Sequence, residues 1–516
     1  MPVLAAVAVA LVTAGAWFER APGYSLLHGV YDVSLGALFV AALQATLLAA
    51  SLTVLSDLIV RQGPDRFKVP PLGPGSLRVV LRLGSLGIRL VTAVFLAFYA
   101  LVAVFVVACA IKTSGRSGLA SGLVVVVGVA LALLVLFLGL RLFSHPPGWL
   151  VALFRWVARW AGRAGYFDPQ DRLLPGHGTA TLCVGVFGAL FLVFAFGLVQ
   201  AGTLVSLLNL VLLVALLLTG ASFLFDAFRF PVLIVIGLLL LVTAQFQRSD
   251  QYFSTRPAPA ASPSELTPRE VLEAGRERSG DPDRAIVICA AGGGIQTGAW
   301  AAQVLAGLEA ETQGEFSPLV RLVSSVSGGS YGTLYYTASF VDGKLRNPEG
   351  VVKSALQSSL GKIASGLVYR DVVRILAPIL VPKLSGRGPA GEAAWLDRSR
   401  RPAAPPPDAT LATWRDDARK GLRPAHIFNA TVAETGERFL LSSVGLGPAT
   451  GRREFARDYP KRDLSPVTAA QLSSAFPYVG AAARIDSDEK STPHIVDSGS
   501  RGSENAKVAR SRATPR

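Results

Sequence analysis

Cysteine is almost missing from this chain: Cys109, Cys183 and Cys289 are all there is in 516 residues. Three thiols so far apart give no disulfide framework. Histidine is nearly as scarce. His28, His145, His177, His426 and His494 are scattered, and no His/Cys/Asp grouping has metal-ligand spacing, so neither a metal nor any other cofactor is expected. Charge is thin at 16% of residues, where an average soluble protein carries about 25%. Acidic residues are the scarcer sign, 35 against 50 basic ones, for a net charge of +15. A correctly spaced dinucleotide glycine motif is absent, and so is the Gly-Lys-Ser/Thr of a Walker loop. No basic stretch is interleaved with aromatics in the way nucleic-acid binding asks for, and no internal repeat is visible.

What is present is apolar: 51% of residues are hydrophobic, and the charge deficit lies in the first half. Apolar runs at 35–58, 90–111, 119–140, 180–199, 204–225 and 231–246 each approach or exceed the roughly 20 residues needed to span a bilayer. Residues 119–140 contain no charge, whereas soluble helices keep a polar face. The run from Val3 to Trp17 is shorter; no Lys or Arg precedes it, which argues against a signal peptide and leaves a seventh segment or an interfacial one. Residues 1–247 are therefore expected to form a multi-pass transmembrane domain. The basic loops at 61–89 and 143–179 fall on the cytoplasmic side, and a count of the spans leaves the remainder of the chain extracytoplasmic. Within the second loop Arg155, Arg159 and Arg163 recur every four residues and interleave with Trp149, Trp156 and Trp160. That pattern suits a helix in the headgroup region or a plain connecting helix.

Residues 248–283 read as a linker, with Pro257-Ala258-Pro259-Ala260-Ala261-Ser262-Pro263 as extended spacer chemistry. Thr267-Pro268-Arg269-Glu270 reads as a capping box with proline at the first helical position. Residues 284–516 look like an ordinary α/β domain. Its stretch 385–408, rich in Gly, Pro and Arg, is expected to be a mobile insertion.

Three stretches carry chemistry. Val323 to Gly332 reads strand, tight turn, helix, with Ser327 at the apex. This is the layout of a nucleophile elbow, with Ser325, Gly328 and Gly329 as its small neighbours. Ala285–Ala290 reads as a buried strand that runs into Gly292, Gly293 and Gly294 and then a helix. Such a loop presents backbone N–H groups to an anion, and beside a serine it suits an oxyanion hole. Asp497, at the end of His494-Ile495-Val496, is a candidate general base if the fold holds it within reach of the serine. His494, three residues earlier, is the histidine that strand alternation could bring close to it, although a structural role is the expectation.

In this order the blocks resemble the patatin-like phospholipases. The likeness rests on Gly292-Gly293-Gly294-Ile295, the Ser327 elbow and the late Asp497-Ser498-Gly499. It extends to Ile427-Phe428-Asn429-Ala430-Thr431 through Gly436 and to Ser473-Ser474-Ala475-Phe476-Pro477. The resemblance covers roughly residues 285 to 499. It implies an α/β/α sandwich and a Ser–Asp dyad: Ser327 as nucleophile, Asp497 as base, and Gly292–Gly294 as oxyanion hole. Departures are Gln296 where the family has Arg or Lys, Ser325 in place of the first elbow glycine, and the basic Ser/Arg-rich end beyond Gly499.

The expected fold class is thus an α-helical transmembrane region followed by a patatin-like α/β domain. The expected function is a bacterial, membrane-anchored lipid acyl hydrolase. Its partners are a lipid ester and the bilayer, with no nucleic acid, no cofactor and an oligomeric state left open. Two alternatives remain: a degenerate domain with a scaffolding or lipid-sensing role, and a transporter with a regulatory domain.

Overall fold

The structure, a computed structural model, describes two stretches of the first half well: 145–197 (without 163–165 and 169) and 202–225. It also describes a few residues between 39 and 44, between 123 and 134 and between 234 and 241. In the second half it describes 251–259, 265–376 (without 282), 386–449, 451–475, 482–485 and 492–498. The chain divides into two compact units, Met1–Arg248 and Ser249–Arg516.

The transmembrane expectation for the first unit is corrected. Among the described residues no helix is long and apolar enough to cross a membrane. Helix α1 (Gly148–Ala161) has 14 residues, short of the roughly 20 a span needs. Helix α2 (Pro175–Ala195) opens on Pro-Gly-His-Gly-Thr. Its His177 is buried with the rings of Phe154 and Tyr166 at 5.1 and 4.8 Å, so its first turn belongs to a small packed cluster. Helix α3 (Thr203–Phe225) buries Ser206 and Asn209 completely. The runs at 180–199 and 204–225 do fall on α2 and α3, but a run of apolar residues does not register the polar groups that the helices enclose. Those at 90–111 and, for the most part, 35–58, 119–140 and 231–246 lie outside the described residues, as does Val3–Trp17. A multi-pass integral membrane protein is not supported, and the sidedness inferred from it falls with it. Of the interleaved Trp/Arg stretch, residues 149–160 form a helix, α1, with Trp149, Trp156 and Trp160 exposed and Arg155 paired to Asp171 at 3.3 Å; Arg163 lies outside the described residues.

The second unit is a mixed sheet with helices. Among the described residues the main sheet has eight strands, β1 (Gln251–Phe253), β2 (Ile286–Ala290), β3 (Val320–Val326), β4 (Ala425–Val432), β5 (Arg438–Ser442), β6 (Arg452–Glu454), β7 (Ala483–Ile485) and β8 (Ile495–Asp497), beside two two-stranded sheets. The order is β1-β7-β8-β4-β3-β2, with the β5–β6 pair attached to β4 through β5. Strands β2, β3 and β4 are parallel, and each of the first two is followed by a helix: α5 (Gly294–Glu311) and α6 (Gly328–Ala338). Successive residues of a strand face opposite sides, and the cores divide accordingly. Val323, Phe428, Ala430 and Val432 join the large core with Leu334, Tyr335 and Trp414. Leu322, Ala425 and Ile427 join a smaller one with Leu266 and Val271.

The described parts of the region expected as a linker, 251–259 and 265–283 without 282, belong to this unit. β1 pairs with β7 from Gln251 to Phe253. Helix α4 (Pro268–Ser279) carries the capping box expected at Thr267 and Glu270, with Pro268 opening the helix and Gly280 closing it in the left-handed conformation. Of the stretch expected as a mobile insertion, residues 386–408 are packed. Arg387–Leu396 is a helix, α7, and Arg401 is buried at 2% exposure. The Arg401 guanidinium donates to the Tyr331 hydroxyl at 2.8 Å, to the Ser354 and Gln357 carbonyls at 2.7 and 2.9 Å, and to the Ala394 carbonyl at 2.8 Å. A cation held by so many buried acceptors is costly to remove, because each loses a charged donor. Arg401→Ala is expected to lower the unfolding free energy by about 3 kcal/mol or more, seen as an earlier midpoint in urea; an unchanged midpoint contradicts the packing described.

Candidate active site

β3 ends at Val326, and the chain turns into α6 at Gly328. Between them Ser327 has φ 53° and ψ −128°, a conformation that L-residues rarely adopt and that costs roughly 1–3 kcal/mol. The turn is held on both sides. The Ser327 amide donates to the Ser473 carbonyl at 3.1 Å. Its carbonyl accepts from the Ser474 hydroxyl at 2.7 Å and from the Ser330 amide at 2.9 Å. Ser327 is half-buried, so the apex remains open to a ligand.

The glycines around it are required by close approach. A Cβ on Gly329 would lie 2.5 Å from the Ala290 carbonyl oxygen and 2.6 Å from that of Ala291. One on Gly328 would meet the Gly294 backbone, and one on Gly298 would come 2.8 Å from the Gly328 carbonyl. Helices α5 and α6 therefore touch backbone to backbone beside the elbow. Gly293 (φ 154°) and Gly294 (φ 69°) make the turn from β2 into α5. Gly292 lies against the serine itself: a Cβ there would be 3.0 Å from Ser327 Cβ and 3.6 Å from its Oγ. Residues 292–294 are exposed, and the first N–H groups of a helix lack intrahelical acceptors. The loop is thus a set of amides beside the serine hydroxyl. Gln296 sits in the first turn of α5, exposed.

Asp497 arrives from the far end of the chain. Ala430 and Thr431 of β4 are paired with both β5 and β8, and Ile427, Phe428 and Asn429 with both β3 and β5. A strand residue has only two edges, so β3 and β8 share the edge opposite β5. β3 occupies it along 425–429 and β8 along 430–432, running in the opposite sense. The two strands meet head-on. Val326 faces Asn429 and Asp497 faces Ala430, which puts Asp497 about one residue, roughly 3.3 Å along the edge, beyond the last residue before Ser327. Asp497 is 1% exposed. It shares the face of its partner Ala430, which belongs to the large core beneath α6. The segment after α8 (Pro466–Ser473) ties the pair together, since the Asp497 amide donates to the Ala475 carbonyl at 3.2 Å, two residues from the carbonyl that holds Ser327.

The structure thus brings Ser327, Asp497 and Gly292–Gly294 to one place. It does not bring His494 there: that residue lies one position before β8, on the opposite face by alternation, with its Nδ1 2.6 Å from Glu434 and Arg484 at its Nε2. Residue Gly499 and Phe476 to Val479 lie outside the described residues.

Sequence reasoning missed the polar cluster under the elbow. Ser325, two residues before the apex where the resemblance has glycine, is 1% exposed. Its Oγ is 2.9 Å from His426 Nε2 and accepts from the Ser330 hydroxyl at 3.0 Å. Burial pushes His426 down to about 3, so the ring is neutral at ordinary pH. Ser325 is read from the sequence only as a small elbow neighbour, and a lone histidine carries no pattern that ties it to that serine. Among the described residues no group of three His, Cys, Asp or Glu could hold a metal ion.

No family model, curated protein or solved structure matches the chain.

Two outcomes follow from this geometry. Gly329→Ala drives a methyl into two carbonyls and is expected to destabilise the protein by about 1–3 kcal/mol, readable as a lowered unfolding midpoint. The unfolded chain protonates His426 near 6.5 and the folded chain only near 3. The unfolded state therefore binds more protons in that window, and stability falls as pH drops through it. His426→Phe should shrink the loss of stability between about pH 7 and about pH 4.5; an identical pH dependence in both proteins would show that His426 does not titrate this way.

Proposed function

We propose that the second unit is a serine acyl hydrolase acting on carboxylic esters of lipids, with Ser327 as nucleophile and Asp497 as general base. The observation that carries this reading is the head-on meeting of β3 and β8, which brings a serine in a strained turn and a buried carboxylate to the same edge of β4. The glycine loop against the same serine supports it. So does the resemblance of these blocks, in this order, to patatin-like phospholipases, which also supplies the lipid ester as substrate class.

Asp497 takes the proton from Ser327 Oγ as the oxygen attacks the acyl carbonyl carbon. The resulting oxyanion lies against the amides of the Gly292–Gly294 loop and of Gly328, the residue after the nucleophile. As the tetrahedral centre collapses, the alcohol leaves with the proton that Asp497 holds. Water then attacks the acyl-enzyme as Asp497 accepts its proton, and Asp497 returns that proton to Ser327 Oγ as the tetrahedral centre collapses and the acid departs. The strain at Ser327 fits this work, because it keeps the hydroxyl at the apex without reorganisation during the reaction.

The departures at Ser325 and Gln296 motivate the reading of a degenerate scaffold. The Ser325 hydroxyl is accommodated in a hydrogen-bonded cluster, so it does not displace the turn. Hydrolysis of a short-chain nitrophenyl ester and of phospholipid, alongside labelling by a fluorophosphonate, decides between the two. The wild type is expected to label and to turn over. Ser327→Ala should abolish both, and Asp497→Asn should cost roughly a thousandfold or more in kcat. A folded wild type that neither labels nor hydrolyses would leave the scaffold reading.

A further inference from the structure

His426 is fully buried near the start of β4, and the hydrolytic steps above make no use of it. Its ring is fixed on every side. It stacks on Phe428, centroids 3.9 Å apart and planes 14° from parallel, with Trp414 at 5.9 Å. Nε2 is 2.9 Å from Ser325 Oγ on β3, the strand that enters the elbow. Nδ1 is 2.9 Å from Thr337 Oγ1, and Nε2 3.4 Å from Thr333 Oγ1, both on α6, the helix that leaves it. The imidazole therefore spans the two arms of the strained turn.

The contacts continue towards the serine. Ser330 donates to Ser325, and the Ser330 and Ser473 hydroxyls are 2.8 Å apart. Ser473 in turn donates to the Asn429 carbonyl at 2.5 Å, and its own carbonyl accepts the Ser327 amide. Ser325, Ser330 and Ser473 are each at most 1% exposed. Buried hydroxyls need partners, and a network in which every member is satisfied specifies one arrangement.

We propose that His426 is a positioning residue for Ser327: through Ser325 on one arm, Thr337 on the other, and the Ser330–Ser473 hydroxyls, it holds the elbow closed so that Oγ stays beside Gly292 and Asp497. This rests on the reading of Ser327 as the nucleophile. A turn in an unfavourable conformation relaxes by letting its arms part, and hydrogen bonds to both arms oppose that. A displacement of about 1 Å at a reacting atom costs on the order of a hundredfold in rate. The serine at Ser325 thereby acquires a purpose that glycine could not serve, because only a hydroxyl gives the imidazole a handle on the incoming strand.

The test compares His426→Phe, which keeps a stacking ring, with His426→Gln, whose amide reaches the place of Nε2. The full-length protein is used, with fluorophosphonate labelling rate, kcat and KM on a short-chain ester, and unfolding midpoint as readouts. His426→Phe is expected to lower kcat and the labelling rate roughly 30-fold or more while KM stays within about threefold, and His426→Gln to recover about tenfold of that loss. A role in folding alone would move the midpoint and leave the labelling rate of the folded protein unchanged. If His426→Phe does not fold, Ser325→Ala takes its place, since it removes the handle from a folded strand. It should show the same fall in kcat at constant KM. A wild-type labelling rate in His426→Phe or in Ser325→Ala, or equal rates in Phe and Gln, overturns the assignment of His426 while leaving the hydrolase reading intact. A wild type that never labels overturns both.

Discussion

A strand residue can pair on two edges and no more, and in this sheet that limit is decisive. β5 takes one edge of β4 from Ile427 to Thr431. The other edge is longer than β3, which covers it only as far as Asn429. Either the remaining positions stay unpaired inside a core, which is costly for buried backbone groups, or another segment must fill them. β8 fills them, and it can do so only by approaching β3 end to end. The closeness of Ser327 and Asp497 follows from that completion of the edge, with 169 residues of chain between the two free to do other things.

The elbow and the glycine loop are then fitted to each other by the absence of side chains. Gly298, Gly328 and Gly329 each occupy a place where a Cβ would run into backbone or a buried ring. Beneath them the space is filled by hydroxyls and one imidazole, and every one of these polar groups has a partner. The strained conformation at Ser327 persists because carbonyl, amide and hydroxyl groups on α8 and α6 engage both of its backbone polar atoms.

Local chemistry is readable from the residues alone. Ser327 announces itself by small residues between a β-branched run and a helix, the glycine loop by three consecutive glycines after a strand, and α4 by its capping box. Each signal sits within about ten residues, the range over which sequence pattern speaks. The shared edge is not readable, because pairing of Asp497 with Ala430 depends on contacts between distant segments. Arg401 misleads for a related reason: its surroundings have the composition of a loop, while the carbonyls that bury it belong to Ser354, Gln357 and Ala394. His426 is invisible as a lone residue, since only the fold reveals that it touches both arms of the turn. The first unit shows the limit of hydropathy. Apolar runs count as spans on a running average, but the described helices there enclose His177, Ser206 and Asn209, which such an average does not register.

The contact between Gly298 and Gly332 has a mechanical consequence. A Cβ on Gly332 would collide with the Gly298 carbonyl, and one on Gly298 would press on Tyr331. With no side chains between them to act as a cushion, α5 and α6 cannot slide or rock independently. The amide loop at the head of one and the hydroxyl at the head of the other form a single rigid jaw. Any widening beside Ser327 must therefore come from the opposite wall, leaving the distance between its hydroxyl and the Gly292–Gly294 amides the same whatever occupies the space.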